Sequence, residues 1–330
     1  MIATFLATMT PMLTLFFCIA IGFIFSKCKI LPEGSGKVMA KLETWVFCPA
    51  LNFTTMAYFC TVDSIGEHLI NIILSSLGVL LAVGISIFLS PFFVKEKGPE
   101  RGVYNYALAF ANSGYMGDPI VLALFGNVGL AFFKLYCLPV QLMIYSWGIS
   151  VMIPSSENKG GAWRRIINAP TVAMLLGIVV GLSGAGKYIP SFLTNSLDTL
   201  KVCMGPVAML LAGVTIAKYD FLSMLKNKGV YIATALRLTL LPAIIVSFTL
   251  GLKMLANAVF DLNIGNDVLF LTFFATAPAL GLNTVIFPEA FGGNPETGAS
   301  MAMISHTLCV ISIPLIYALM VTLFGVPFQG

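Results

Sequence analysis

The sequence predicts an all-α integral membrane protein of ten transmembrane helices, arranged as two inverted five-helix repeats with the fourth and ninth helices broken near mid-depth. Three observations carry that expectation. Hydrophobic residues make up 58% of the 330 and charged residues 10%, against about 25% charged in an ordinary soluble domain. Apolar runs as long as the ~20 residues that cross a bilayer recur along the whole chain. Two of those runs place helix-breaking and amide residues where a membrane helix should be most regular, and backbone freed there survives only against protein or a hydrated cavity.

Ten runs can be read, at 5–25, 38–59, 68–94, 102–126, 129–153, 168–185, 195–217, 229–252, 267–291 and 297–325. The first holds Pro11 and Gly22 and has no Lys or Arg before Lys27. It lacks the basic segment of a cleaved signal peptide and is expected to be retained. The second holds Pro49, with Glu43 at its cytoplasmic end expected to pair with Lys41 or face the headgroups. The third ends at Pro91, and the fourth carries Ala111-Asn112-Ser113-Gly114-Tyr115-Met116-Gly117-Asp118-Pro119 near its centre. In the fifth, Lys134 lies close enough to the outer end to snorkel to the interface.

Ser155 to Gly161 then reads as a flexible linker. Ala162 to Ile167, with Trp163, Arg164 and Arg165, reads as a cytoplasmic anchor before the sixth run. Asn168-Ala169-Pro170 opens that run, Gly205-Pro206 sits in the seventh, and Arg237 precedes Pro242 in the eighth. The ninth carries Ala277-Pro278-Ala279-Leu280-Gly281-Leu282-Asn283, and the tenth holds Ser305, His306 and Thr307.

Basic residues orient the chain. Odd-numbered connections hold Lys27, Lys29, Lys37 and Lys41; Lys95, Lys97 and Arg101; Lys159, Arg164 and Arg165; and Lys218, Lys226 and Lys228. The even-numbered ones hold Lys187, Lys201 and Lys253. The odd connections are therefore expected in the cytoplasm and both termini outside it, in a multi-pass protein of the plasma (inner) membrane. The net charge of +4 reflects that topology and implies no nucleic-acid partner; the partner is the lipid bilayer. Seven scattered cysteines without a CxxC pair indicate neither a zinc site nor a disulfide framework.

The halves look alike. Pro11 and Gly22 in the first run match Pro170 and Gly181 in the sixth at the same spacing, Pro49 answers Pro206, and Pro91 answers Pro242. Offsets between partners stay between 151 and 159 residues. Each unit has an odd number of spans, so the second copy enters the membrane upside down, and inverted repeats place a site at their interface near the midplane. The expected division is residues 1–154 for the first repeat, 155–167 for a cytoplasmic linker and 168–330 for the second repeat.

The string from Asn112 to Pro119 resembles the Asn-x-x-x-Met-Gly-x-Pro segment of the auxin efflux carrier (PIN-like) family, part of the bile acid/auxin-type transporter superfamily. Ala277-Pro278 with Asn283 is similar to the family's second such segment. Gly298-Ala299-Ser300, Ser305, Ser312 to Pro314, Asn168-Ala169-Pro170 and Gly205 to Gly213 fit the same pattern, so the resemblance covers nearly the whole chain. It implies that helices 4 and 9 cross where they unwind. It implies a scaffold of helices 1, 2, 6 and 7 that forms a homodimer contact, and an elevator-type transport unit of helices 3–5 and 8–10. The implied substrate is an organic anion, such as malate or an auxin-like acid. Ala111 stands where plant members usually have proline, and Asp118 where they have an apolar residue. With the short middle loop, these departures favour a bacterial permease over an auxin carrier.

Two helices broken at mid-depth would bring four half-helix ends to one small volume. N-terminal ends carry roughly +0.5 of an elementary charge and orphan N–H donors, which suits a carboxylate. Asn112 and Asn283 add amides that either bind substrate or satisfy freed backbone. The expected substrate-binding set is Asn112, Ser113, Gly114, Pro278, Ala279 and Asn283. Asp118 is the candidate for ion coupling, because a carboxylate near the bilayer centre costs roughly 2.5–3.5 kcal/mol and is a functional hypothesis by default. It is a proton carrier, a sodium ligand, or an N-cap followed by Pro119 at N1. Arg237 either pairs with an acid or draws anions to the pathway, and His306 is either a packing residue or a proton relay.

A secondary transporter of a small mono- or dicarboxylate is therefore the leading expectation, needing no cofactor beyond a coupling H+ or Na+. The alternatives are a sodium- or proton-coupled importer of the bile acid symporter type and a transporter-like membrane sensor. An enzyme is disfavoured, since the chain holds neither HExxH nor GxSxG. A channel would show a repeated charged or carbonyl ring, whereas this chain is duplicated around one centre. Asp118→Asn is expected to flatten the pH or cation dependence of labelled-substrate uptake; full retention of that dependence would leave Asp118 a structural role.

Overall fold

In hydrocarbon every backbone polar group must be satisfied inside the protein, so long apolar runs fold as helices. The computed structural model describes residues 2–62, 65–152, 168–219, 226–291 and 295–328, and the expected 155–167 linker lies outside them. The first half contains α1 Ile2–Lys27, α2 Ser35–Leu42, α3 Cys48–Phe59, α4 Ile65–Leu89, α5 Pro99–Ala109, α6 Asp118–Tyr136, α7 Leu138–Met143 and α8 Ile149–Met152. The second contains α9 Ala169–Leu182, α10 Ser191–Ile216, α11 Lys228–Ala235, α12 Leu241–Phe260, α13 Asp267–Thr276, α14 Asn283–Phe291 and α15 Pro295–Phe324. Among the described residues the only β-type pairing is an isolated bridge between Ala111 and Leu280.

Among those residues six helical stretches are long and apolar enough to cross a bilayer: Thr8–Lys27, Leu69–Phe92, Ser113–Tyr136, Ser191–Ile216, Lys228–Phe260 and Glu296–Phe324. Leu138–Met152, Ala169–Leu182 and Asp267–Thr276 are apolar but shorter. Phe17, Phe88, Val179, Phe192, Ile311 and Leu315 all lie exposed on helix surfaces. A soluble monomer rarely shows so much contiguous apolar surface; this is a helical, multi-pass, membrane-embedded chain.

Prolines shape the helices in two ways. Pro99 and Pro170 lie in first turns, where the missing N–H is an orphan anyway, and Asn168 caps its helix by accepting from the Thr171 N–H at 3.0 Å. Pro49, Pro119 and Pro242 instead each follow a five-residue π-turn, Glu43–Phe47, Ser113–Gly117 and Leu236–Leu240. A proline ring collides with the carbonyl four residues back, and a widened turn relieves that collision. Within α6 the chain breaks helical geometry at Gly126 (φ 67, ψ −165), which separates an outgoing arm from a returning one.

Four helices form one tight group: α1 packs on α10, α3 on α9, and α3 also on α10. Lipid removes the hydrophobic drive between helices, so close backbone approach at small residues must supply the contact. Gly22 of α1 and Gly181 of α9, matched in the sequence, do this at equivalent places. A Cβ on Gly22 would stand 2.2 Å from the Leu210 carbonyl oxygen, and one on Gly181 would stand 2.5 Å from the carbonyl oxygens of Met56 and Cys60. The other elements pack around this group, with α4 against α5 and α12, α12 against α13, and α14 against α15. Gly22→Ala and Gly181→Ala should each destabilise the purified protein by about 1–3 kcal/mol through overpacking. Gly84→Ala, with open space where its Cβ would go, should not lower the unfolding midpoint in the same assay.

Candidate functional site

Both expected breaks are present. α5 ends at Ala109; Phe110 is extended (φ −121, ψ 128), and helical turns resume only at Ser113. α13 ends at Thr276, and α14 begins at Asn283. The two freed strands of backbone satisfy each other. Ala111 bridges Leu280, and the Asn112 N–H donates to the Ala279 carbonyl at 2.8 Å. From the last helix, Ser305 Oγ accepts from the Leu280 N–H at 3.1 Å. Ala279 thus serves the other break through its carbonyl, and it is fully buried.

Side chains lock the same junction. His306 Nδ1 lies 2.7 Å from the Ala302 carbonyl, which can only accept, so that nitrogen carries the proton and Nε2 accepts. Asn112 Nδ2 donates to it at 3.2 Å. His306 therefore faces the break and holds its asparagine. Asn283 Nδ2 donates to the Tyr106 hydroxyl at 2.8 Å, and the Tyr106 ring packs on Phe110 with centroids 4.9 Å apart. Arg237 is fully buried and donates from Nη1 to the Leu108 carbonyl at 3.2 Å, near the negative end of the α5 dipole. Its Nε and Nη2 have no partner among the described residues, and no acid pairs with it there.

Three expectations need correcting. Lys134 does not snorkel: it is 1% exposed and forms an ion pair and hydrogen bond with Asp118, itself 2% exposed. The two residues lie eight positions either side of Gly126, so its turn sets them on facing arms. Asp118 is not an N-cap, because its own φ −55 and ψ −52 are helical and its carboxylate is turned to Lys134. Glu43 neither pairs with Lys41 nor reaches the headgroups; it is fully buried, and both carboxylate oxygens lack a hydrogen-bond partner among the described residues. Its place on a π-turn packed against α10 turns it inward.

A cavity of ≈60 Å³ lies at the junction. Asn112, Ser113, Gly114, Gly281 and Asn283 line one side, Lys134, Gln141 and Tyr145 another, and Cys48, Pro170 and Met204 the side of the four-helix group. Of the expected substrate set, Asn112, Ser113, Gly114 and Asn283 border this space, while Pro278 and Ala279 are not in its wall. Asp118, Arg237 and His306 are not in its wall. The first-turn amides after Asn112 have no intrahelical acceptor, and the Gln141 Oε1 is buried without a partner among the described residues. The wall therefore includes one lysine, the first turn of a helix and side-chain amides. A larger hollow of ≈410 Å³, bordered by Asn71, Asn263 and Asp267, lies away from both breaks and has no such convergence.

Sequence reasoning missed Lys134 as a wall residue, and also Tyr106 and Gln141. The pair with Asp118 had a signal, an acid and a base at equal distance from a glycine between two apolar runs. Tyr106 and Gln141 carried none beyond their residue type.

Residues 7–317 match the model of the membrane transport protein family. An uncharacterized transporter of Methanothermobacter thermautotrophicus is 24% identical over 217 residues, 64% of this chain and 69% of the relative. Another from Methanocaldococcus jannaschii is 24% identical over 213 residues, 63% of this chain and 69% of the relative. With a match running from the first helix into the last, this chain belongs to the membrane transport protein family of auxin efflux carrier-like transporters.

Proposed function

We propose that the protein is a secondary carrier for a small organic anion, a mono- or dicarboxylate such as malate or an auxin-like acid, working by elevator-type alternating access. The observation that carries this reading is the convergence of two interrupted helices and a buried lysine on one cavity. Helix N-terminal amides and an ammonium together recognise carboxylate chemistry. The broken segments are the two that cross, and the substrate-binding groups are Asn112, Ser113, Gly114 and Asn283, with Pro278 and Ala279 shaping the second break.

In this reading the helical pieces make ten spans in two inverted repeats, residues 1–154 and 168–330. The packing supports that division: α1 on α10 and α9 on α3 exchange with each other when the repeats are swapped, as do α4 on α5 and α12 on α13. The Gly22 and Gly181 contacts exchange in the same way. The four-helix group is the scaffold and homodimer contact, and the rest is the moving unit. The carrier sits in the inner membrane with both termini outside the cytoplasm. Moved alone, an anion would be driven outward by ~2.3 kcal/mol per charge per 100 mV; moved together with one proton per monoanion, it is indifferent to the potential. Lys134 already fills the cation position beside Asp118, which favours H+ over Na+ as the coupling ion.

Counterflow in proteoliposomes tests the proposal. Unlabelled carboxylate loaded inside should accelerate and saturate uptake of the labelled compound. Asn112→Ala or Asn283→Ala should slow it at least ~10-fold, the loss of a hydrogen bond to a charged group. A channel would show no acceleration by exchange, and a sensor would move nothing.

A further inference from the structure

Lys134 belongs both to the cavity wall and to the buried ion pair. Among the described residues it is the only cation of the wall: Arg237 is turned to the Leu108 carbonyl, and His306 is held between Asn112 and the Ala302 carbonyl. An ammonium has three donors, and the Asp118 carboxylate engages it from outside the wall. A carboxylate in the cavity therefore comes against the residue whose ammonium Asp118 holds.

We infer that Lys134 is the counter-ion of the transported carboxylate, and that Asp118 is a resident carboxylate which holds Lys134 in the unloaded carrier and yields it to substrate. This rests on the reading of the site as an organic-anion site. It makes binding an exchange of one carboxylate for another on a single ammonium. The unloaded pair is neutral. Loading a monoanion gives two carboxylates and one ammonium in a place sealed from water, and an uncompensated buried charge is costly unless neutralised. A proton taken up by the carboxylate that lets go restores neutrality. The loaded and unloaded carriers then both cross the membrane uncharged, and one proton travels with each monoanion.

The groups that face the pair allow this. Lys134 is the charged neighbour of Asp118, and the titratable groups beside them are the thiols of Cys48 from α3 and Cys137 at the end of α6. Glu43 lies beyond Cys48, toward α10. Among the described residues no second base or acid competes for Lys134.

The test is binding of malate, acetate and indole-3-acetate to the purified full chain, followed by calorimetry at several pH values. Wild type should bind one of these probes about tenfold more weakly per unit rise in pH, the signature of one linked proton. Asp118→Asn removes the competitor and, like the loss of Lys134, leaves a buried charge unpaired; its folded fraction should bind the same probe at least ~10-fold tighter at neutral pH. Lys134→Met strands a buried carboxylate and is expected to unfold readily, so the double variant Asp118→Asn/Lys134→Met is the decisive one. It should fold with a normal unfolding transition yet bind no carboxylate. Wild-type affinity and pH slope in the double variant would make the pair a clip between two helix arms and overturn the inference alone. A wild-type chain that binds none of the three probes overturns the organic-anion reading and this inference with it.

Discussion

A backbone amide or carbonyl left unpaired in hydrocarbon costs several kcal/mol, and the site exists because two broken helices meet that demand for each other. The bridge from Ala111 to Leu280 and the Asn112–Ala279 hydrogen bond tie one break to the other. Ser305 covers the Leu280 N–H, and Arg237 covers a carbonyl at the end of α5. Neither break could be straightened or moved alone without stranding its neighbour's polar groups. The cavity wall, with the first turn after Asn112, is what remains on the side that this mutual pairing does not use.

Charge is handled under the same constraint. Two ions out of water are tolerated when each neutralises the other, and removing one partner is strongly destabilising. The Gly126 turn makes the Asp118–Lys134 pair by folding one arm onto the next, so the pair is local in sequence although it lies deep in the fold. Arg237 follows a different rule: its guanidinium meets a helix C-terminus, where backbone carbonyls carry the negative partial charge. The two buried cations therefore do different work. One caps backbone, and the other is paired with Asp118 on a residue that lines the cavity.

The all-α membrane class and both breaks were legible because they follow from composition and from residues with fixed backbone chemistry. Helix breakers cluster at 277–281 and at Asn112 to Gly114, and it is the cluster that interrupts, since single prolines such as Pro11 and Pro206 stay inside continuous helices. Side-chain partners were less legible. Lys134 judged by depth alone looks like a residue that reaches the interface, since nothing in hydropathy shows which way an arm faces after a turn. Glu43 looked like a terminal residue because the sequence gives no warning of the π-turn that rotates it against α10. The His306–Asn112 contact joins residues 194 positions apart. Such a contact depends on how the last helix lies across the first break, which single-sequence periodicity does not encode.

The walls of the cavity also differ in how they are joined. Within the four-helix group, backbones touch at Gly22 and Gly181 so closely that even a methyl group has no room. At the cavity, the group contributes Cys48, Pro170 and Met204 to the wall, and beside it Gly205 comes close to the ring of Pro119. Binding pockets for small molecules usually measure about 300–1,000 Å³, far above the ≈60 Å³ between these walls. A carboxylate with its carbon skeleton must therefore widen the space. The seam made of side chains can part by rotamer changes and small shifts, whereas the glycine contacts and the paired breaks must give up backbone contact to move. At the cavity the proposed moving unit is bounded by that seam, while elsewhere α1 also packs closely along α15; the lysine that would meet the substrate sits on the moving side.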